Sequence, residues 1–591
     1  MKSFFDKIKN FIKEHRWIII LSFLLTILIF APLVVFPFVY KSEYQGININ
    51  HFGSDTVFYL TRGKEVLDGH NLGNPVLREG KNDPDIYLSY SDYILLAPIK
   101  LLGLAQKVDI VTVYNIYNFI GVFVLILLIY FFVLQLSGSK LLSITAALFA
   151  IGGYSIIYNK TLFYHSFNIY ARVPYPYISS LILFAYLNLL AKSLRSVGLK
   201  YKIFAGLAFG LLFYIYFHAW SFVLAFSACL FLIYILRKDF SSAKKVFIIS
   251  LIGLAFGSYN LIRLFSSLGS ALGKQQAYFM WLSFGRTPVF SLVGFFTLIL
   301  FTVYFYKRRD DKNLPLILAV ILSGWVALNQ QIITGRLLQD GHYYWYFIVP
   351  LSIIIGLYMV WQLITKEKAK KFLFIFLIAV VFLNTIGGQY QSFFYTLKTK
   401  RYEQSFRPII DFLNLDKKPG VILSAETNGH LLTTFTSHDL FWQSTASLSR
   451  ITTERFKDAL FVYLYLNKES RNDLAGYLAK IGDNGAPWSY YQDLFRNLEG
   501  YWSGYDYYEY HDKIKKNDQE LNRKRPEIID QLNKEYNETV LKNGGFDKLL
   551  KKYGVNYVVW DKNKNPEWDI SVIPGLKQLI KSNDIYLYEL K

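Results

Sequence analysis

The sequence predicts an α-helical polytopic membrane protein with about eleven transmembrane helices and a C-terminal α/β domain outside the membrane. Three observations lead to this class: 53% of the 591 residues are hydrophobic, only 18% are charged, and the apolar residues fall into long runs. Soluble domains usually have about a quarter of their residues charged, and a helix needs roughly 20 apolar residues to cross a bilayer. The chain is therefore too apolar and too poor in charge to be a soluble protein.

Eleven apolar runs are predicted to span the membrane, two of them short. The first run is expected to stay as an anchor, because Pro37, Phe38, Val39 and Tyr40 offer no small-residue cleavage site for a signal peptidase. The single cysteine, Cys229, excludes a disulfide framework. The predicted spans are 17–40, 112–136, 141–157, 174–191, 203–217, 219–236, 246–265, 289–306, 314–333, 343–363 and 372–388.

The net charge of +21 is concentrated in alternate connections between these runs. Six short segments hold 22 Lys and Arg against 6 Asp and Glu. They are 1–16, 137–140, 192–202, 237–245, 307–313 and 365–371. Basic connections face the cytoplasm in membrane proteins, so we expect an integral protein of the inner or plasma membrane with its N-terminus inside and its tail outside. No basic stripe with stacking aromatic residues lies elsewhere, which argues against nucleic-acid binding.

The expected domains follow from this topology. Residues 1–16 are predicted as a cytoplasmic N-terminus and 17–389 as the membrane domain, with an outer loop over 41–111. The tail, 390–591, has mixed charge and is predicted as an α/β domain with a helical insertion. Its predicted strands are 420–424, 556–560 and 585–588, and its predicted helices lie around 402–414, 452–480, 513–540 and 546–553.

The outer loop contains a carboxylate in a position suited to chemistry. Ser54 can cap a helix that begins at Asp55, and Gly69 can end it. The N-terminus of a helix stabilises the ionised form of Asp55 by about 0.3–1 kcal/mol. A structural interpretation stays open at this point, since Asp55 can equally be an ordinary acid of a first helical turn.

Two motifs of the outer loop resemble a known superfamily. The run Gly53-Ser-Asp55-Thr-Val-Phe-Tyr59, the run Leu67-Asp-Gly-His-Asn-Leu-Gly-Asn-Pro75 and the arrangement of the whole chain resemble the C-type glycosyltransferases. That superfamily includes aminoarabinose transferases and protein O-mannosyltransferases, and the pattern is most similar to its uncharacterised bacterial members. Many relatives have two adjacent acids where this chain has Asp55 followed by Thr56.

The resemblance implies an activity and a catalytic residue. It implies transfer of a sugar from a polyprenyl-phosphate donor to a lipid, glycan or protein acceptor on the outer face, with inversion at the anomeric carbon. Asp55 would be the general base that removes the proton of the acceptor hydroxyl, a role worth typically 10²–10⁴-fold in rate. The leaving polyprenyl phosphate is already an anion, so it needs cations and hydrogen-bond donors rather than an acid.

Few basic residues lie on the predicted outer side, and they are candidates to bind the donor phosphate. Arg336 and His342 stand close together in one polar segment, where arginine can hold two phosphate oxygens at once. Arg172 precedes the span at 174–191, and Arg263 lies near the outer end of another span. The alternative is that these residues are ordinary anchors at the membrane interface.

Weaker candidates complete the set. Asp83 and Asp85 form a pair that could supply a second acid or hold a divalent cation, although the same residues are typical of a turn. No cofactor is otherwise expected. His51, His218 and Trp220 are candidates for contact with the substrate.

Two other classes of function remain open. A transporter or flippase for a lipid-linked or glycan substrate would have ionisable residues near the middle of the membrane. The interiors of the predicted spans are almost free of Asp, Glu, Lys and Arg, which favours the transferase. A non-catalytic membrane scaffold is the third alternative.

Overall fold

The structure is a computed structural model that describes most of the chain. It describes residues 2–50, 54–83, 89–196, 198–416, 418–425, 429–542 and 544–591. Through residue 403 the chain is helical apart from short connections and two short strands. The helices of this part are Lys2–Val39, Ser54–Asp68, Ser91–Leu101, Ile110–Ser137, Lys140–Gly152, Tyr154–Asn159, Tyr177–Arg195, Leu199–Ile215, Phe217–Leu236, Phe240–Gly269, Ala271–Phe279, Leu292–Lys307, Leu314–Leu328, Gln331–Thr334, Gly341–Tyr343, Val349–Leu363 and Glu367–Glu403.

Every predicted span overlaps an observed helix, although the spans 141–157 and 314–333 are each broken into two helices. In the part of the chain that the structure describes, eight helices are long and apolar enough to cross a membrane. The other three predicted spans correspond to the shorter helices Lys140–Gly152, Leu199–Ile215 and Leu292–Lys307. The class of polytopic helical membrane protein is therefore confirmed, whereas the count of eleven crossings stays a prediction.

The shortest of these helices is short because it lies inside the bundle. Lys140–Gly152 has 13 residues, about 20 Å at 1.5 Å per residue, and every residue from Leu142 to Gly152 is buried. The chain bends after Gly152 and continues as the helix Tyr154–Asn159. Neighbouring helices, rather than lipid, cover this segment, so its length need not match the bilayer.

Contacts sort the connections between the helices into two groups. On one side, Lys140 pairs with Glu14 (Nζ to Oε1, 3.1 Å) and Arg195 donates to Asn313 (Nη2 to Oδ1, 3.2 Å). Each of these contacts joins two of the six basic connections named above. On the other side, Gln404, beyond the last span, accepts hydrogen bonds from the first outer loop. This separation is the one that the charge pattern predicts.

The direction of insertion is tested by reporter fusions. We expect a fusion after Lys371 to report a cytoplasmic position and a fusion after Lys591 an external one, because basic connections are retained inside. Finding both reporters on the same side of the membrane would contradict the predicted topology.

The tail forms a mixed sheet covered by helices. Its five strands are arranged in the order β4-β3-β5-β7-β6, parallel from β4 to β5 and antiparallel from β5 to β6. The strands of the chain are β1 (Leu282–Phe284), β2 (Arg336–Leu338), β3 (Val421–Ser424), β4 (Asp439–Leu440), β5 (Val555–Asp561), β6 (Leu576–Ser582) and β7 (Ile585–Leu590). The tail helices are Arg407–Leu413, Gly429–Phe435, Thr453–Leu466, Lys468–Asn472, Leu474–Gly482, Tyr490–Trp502, Tyr507–Lys515, Gln519–Tyr536 and Gly545–Lys552.

The three predicted strands of the tail correspond to β3, β5 and β7, and two further strands were not predicted. β6 lies at an edge of the sheet and is only partly buried along its length, so its residues lack the apolar run by which a buried strand is recognised. β4 has only two residues. Pairing with neighbours, rather than local pattern, makes these two segments strands.

Ion pairs fasten the tail to the outer loop. Lys81 Nζ lies 2.6 Å from Glu65 Oε2 in the loop and 2.8 Å from Asp439 Oδ1 in the tail. Burial alone would lower the pKa of Lys81, but the carboxylates of Glu65 and Asp439 raise it above its ordinary value. The loop also shares one hydrophobic core with the tail, in which Val57 and Leu60 are buried. The outer loop is therefore held firmly rather than left as a free segment.

Candidate active site

Asp55 lies in the first turn of the outer loop helix (Ser54–Asp68), as the sequence predicts. One face of this helix is fixed against the tail, where Thr61 Oγ1 lies 3.1 Å from Thr433 Oγ1. The Asp55 side chain is 49% exposed. A solvent-accessible carboxylate is thus carried by a helix that cannot move freely.

The partner of Asp55 is Arg172, another of the predicted site residues. The two side chains form an ion pair between Nη2 and Oδ2, although they are 117 positions apart in the chain. Arg172 Nη1 also donates a hydrogen bond to Tyr346 Oη at 2.9 Å. Only 6% of the Arg172 side chain is exposed, so a buried cation lies directly beside a half-exposed acid.

Two amides hold the backbone next to Arg172. Asn50 Nδ2 donates to the carbonyl oxygen of Ala171 at 3.2 Å, and Asn118 Nδ2 donates to the same oxygen. Removing the partner of a buried charge destabilises a protein by roughly 3–5 kcal/mol. Arg172 is therefore held both by the ion pair of its side chain and by the fixed backbone beside it.

Aromatic and imidazole rings extend the site beyond Arg172. The His342 ring lies 5.2 Å from that of Tyr346 and nearly parallel to it, with 23° between the planes. His342 Nδ1 is 2.7 Å from Tyr216 Oη, and the His218 ring is 4.9 Å from His342. The structure therefore brings His342 and His218 together next to Tyr346, the tyrosine that Arg172 contacts.

The protonated nitrogen of His218 follows from its contact. His218 Nε2 lies 3.0 Å from the carbonyl oxygen of Leu338, an acceptor, so Nε2 carries the hydrogen. His218 Nδ1 is buried and has no hydrogen-bond partner among the described residues.

Local backbone geometry places His342 and Tyr346 side by side. The chain forms a π-helical turn over Tyr344–Ile348 between the helices Gly341–Tyr343 and Val349–Leu363. Such turns are rare and occur frequently at functional sites. Neither Tyr346 nor Tyr216 is among the site residues that the sequence predicts, although each stands within four positions of a predicted histidine.

Two of the basic residues predicted to bind the donor lie apart from this cluster. Arg336 is exposed on β2, opposite Phe284 of β1, and its side chain makes no hydrogen bond or ion pair with a residue that the structure describes. Arg263 lies over the rings of Tyr90 and Tyr259, 5.7 and 5.8 Å from their centroids.

The Trp220 side chain packs against a neighbouring aromatic residue. Its ring stacks on Phe213, with centroids 4.8 Å apart and 13° between the planes. Contact with a substrate at this residue stays a prediction.

The remaining candidates are Asp83 and Asp85, predicted as a second acid or a cation site, and His51, predicted to contact the substrate. Asp83 is exposed in a turn closed by its own backbone N–H on Gly80 at 3.1 Å, whereas Asp85 and His51 lie outside the described residues. Within the described ranges there is no group of three or more His, Cys, Asp or Glu that could hold a metal ion.

Comparison with known proteins gives no match to a family model and no match to a curated protein. Solved structures do match. ArnT from Cupriavidus metallidurans, bound to undecaprenyl phosphate, superposes with a TM-score of 0.50 at 10% identity, over 97% of this chain and 98% of that one. The chain has the fold of a C-type glycosyltransferase.

The oligosaccharyltransferase AglB from Archaeoglobus fulgidus is also similar. Its complex with an inhibitory peptide and a dolichol-phosphate gives a TM-score of 0.45 at 11% identity, over 98% of this chain and 75% of that one. A complex of the Archaeoglobus enzyme with zinc and sulfate gives 0.47 at 12% identity, over 97% and 73%.

Proposed function

We propose that the protein is a glycosyltransferase that moves a sugar from a polyprenyl-phosphate donor to an acceptor hydroxyl at the outer face of the membrane. The observation that carries the proposal is the pair of a half-exposed Asp55 and a buried Arg172. An acid that can reach an acceptor stands beside a cation that can hold a phosphate. The fold shared with a transferase that binds undecaprenyl phosphate supports this assignment.

Asp55 is the general base of the proposed reaction. As the acceptor oxygen attacks the anomeric carbon, its proton passes to the Asp55 carboxylate. The bond between the anomeric carbon and the phosphate oxygen breaks on the opposite side, and its electron pair leaves with the polyprenyl phosphate. Attack from the side opposite the leaving group inverts the anomeric configuration.

Arg172 holds the phosphate in this proposal. A guanidinium group can donate two parallel hydrogen bonds to a phosphate, and such charge-assisted bonds are about twice as strong as neutral ones. The Arg172 nitrogen that pairs with Asp55 is one that the phosphate would engage. Binding of the donor therefore releases Asp55 toward the acceptor, which couples donor binding to activation of the base.

A transporter is the second candidate, and the position of the charges argues against it. Asp55, Arg172 and His342 gather at one end of the helices, next to the outer loop, rather than near the middle of the membrane where transport sites lie. A direct assay separates the two functions. Purified protein in lipid vesicles should release polyprenyl phosphate from a polyprenyl-phosphate sugar. A vesicle assay that shows movement of the lipid without release of its sugar would favour the transporter.

Arg336 is proposed as a contact for the donor at the rim of the site, with His342 deeper inside. We expect Arg336→Ala to raise the KM for the lipid donor severalfold, because a single exposed charged contact contributes only modestly. Arg336→Lys should restore part of this loss, since the charge remains while the two-pronged geometry is gone. Steady-state kinetics test it, and an unchanged KM in folded protein would make Arg336 an interface anchor.

A further inference from the structure

A cavity separate from the Asp55–Arg172 pair lies beside the last span helix (Glu367–Glu403). It has a volume of about 230 Å³ and is bounded by this helix and by residues between Gly152 and Ile169. Neither Asp55 nor Arg172 lines it. We call it the outer cleft and define it by Tyr154, Tyr158, Asn168, Asn384, Thr385 and Gln389.

The lining of the outer cleft is polar but carries no charge. Its walls present tyrosine, serine, threonine, asparagine and glutamine side chains, and none of the lining residues is acidic, basic or histidine. A phosphate would find no cation there, and a lipid tail would leave the amides without hydrogen bonds. The cavity volume of about 230 Å³ is below the roughly 300–1,000 Å³ of pockets for drug-sized ligands, so a small neutral ligand with many hydroxyls, about the size of one sugar unit, fits both the size and the chemistry.

Two buried oxygen atoms in the cleft lack partners. Thr385 and Gln389 are only 4% and 7% exposed, yet Thr385 Oγ1 and Gln389 Oε1 have no hydrogen-bond partner in the described part of the chain. Four positions apart, they lie on the same face of the helix. Buried polar atoms are normally satisfied, so these two are available to a ligand that donates hydrogen bonds.

Two amide side chains of the cleft, one on the last span helix and one on the facing segment, are already fixed. Asn384 Nδ2 donates to Gly152 O and to Ser155 Oγ, both at 3.0 Å, while its Oδ1 accepts the backbone N–H of Phe163 at 2.9 Å. Asn168 Nδ2 donates to Ile151 O at 2.8 Å. The cleft thus combines amides that are fixed in place with two oxygen atoms that still need hydrogen-bond partners.

One hydrogen bond connects the outer cleft to the active site. Tyr154 Oη donates to the carbonyl oxygen of Trp345 at 2.9 Å, and the next residue, Tyr346, bonds Arg172. The two sites therefore share a wall, and a molecule bound between them could reach both.

We propose that the outer cleft binds an uncharged sugar unit through its hydroxyl groups, with Thr385 and Gln389 as binding residues. This inference rests on the proposed function for the source of that sugar, which is either the sugar of the lipid donor or a sugar of the acceptor.

The test compares lipids with and without a sugar. The probes are undecaprenyl phosphate, its glucose, mannose and galactose derivatives, and octyl β-glucoside, each titrated into protein in nanodiscs. Thr385→Val/Gln389→Met removes the two hydrogen-bonding oxygens at nearly constant size. The matched control is Thr396→Val/Gln391→Met, which changes the same residue types on the same helix outside the cleft.

We expect the cleft variant to lose about tenfold in affinity for at least one sugar-bearing probe, as two hydrogen bonds predict. Its affinity for undecaprenyl phosphate should not change. A loss of affinity for a phosphate-linked sugar would mean that the cleft binds the sugar of the donor. A loss of affinity for octyl β-glucoside would mean that it binds a sugar of the acceptor.

Unchanged affinity for every sugar-bearing probe, or an equal loss for undecaprenyl phosphate, would overturn the inference. Arg172→Lys separates the proposals. If this variant leaves the binding of undecaprenyl phosphate intact, the proposed function fails. The measured affinity of the cleft variant for the sugar-bearing probes is interpreted independently of that result.

Discussion

Asp55→Asn is expected to reduce sugar transfer by about 100-fold or more, because it removes the proposed general base while keeping the size of the side chain. The helix that carries Asp55 should remain in place, since the tail fixes it through Thr61 and Thr433. The measurement is kcat with a polyprenyl-phosphate sugar, together with the melting temperature of the purified variant. Asp55→Glu should recover only part of the rate, because the carboxylate is displaced by about one bond length.

A second readout separates a base from a residue that merely positions Arg172. Asn cannot form the ion pair, so in Asp55→Asn the phosphate no longer competes for Arg172, and the affinity for bare polyprenyl phosphate should stay equal or rise. If Asp55 only held Arg172 in place, affinity and kcat would fall together. Asp68→Asn is the control, since Asp68 is an exposed acid at the other end of the same helix. Near-normal kcat in Asp55→Asn would mean that the base lies elsewhere.

Arg172→Lys is expected to lower kcat/KM for the lipid donor by about 10- to 100-fold, the range for loss of a charge-assisted hydrogen bond to a buried group. Lysine keeps the positive charge but cannot reach Tyr346, Asp55 and a phosphate with one planar group. The loss should appear in the KM of the donor and in the affinity for polyprenyl phosphate, both measured at constant salt.

Arg401→Lys provides a matched control for this experiment. Arg401 also pairs with a carboxylate near the outer loop, that of Glu43, but half of its side chain is exposed. Exposed ion pairs are worth about 0–1 kcal/mol, so the control should bind the donor as the wild type does. A folded Arg172→Lys variant with an unchanged KM for the donor would assign the phosphate to another group.

The sequence predicted the fold because the dominant signal is local. Apolar runs and basic connections can be counted along the chain, and each of the eleven predicted spans overlaps an observed helix. The tail was predicted less completely, since β4 and β6 become strands through their neighbours rather than through their own pattern.

The site was predicted as a set of residues but not as an arrangement. Asp55 and Arg172 were both candidates, yet nothing in their 117-residue separation indicates that they touch. Arg336 and His342 were expected to act together because they are six positions apart. Between them the chain passes from strand β2 into a helix, and His342 instead contacts Tyr216 and Tyr346. Packing between segments that are distant in the chain determines which side chains come into contact. A local sequence pattern does not contain this information.

The most direct test of the account is the structure of the Asp55→Asn variant with a bound polyprenyl-phosphate sugar, a complex in which turnover is blocked. We expect two phosphate oxygens within about 3 Å of the Arg172 guanidinium nitrogens, with the anomeric carbon facing residue 55. A phosphate bound at Arg336 or Arg263 with Arg172 left buried behind Tyr346, or a sugar that points away from residue 55, would contradict the proposed catalytic pair.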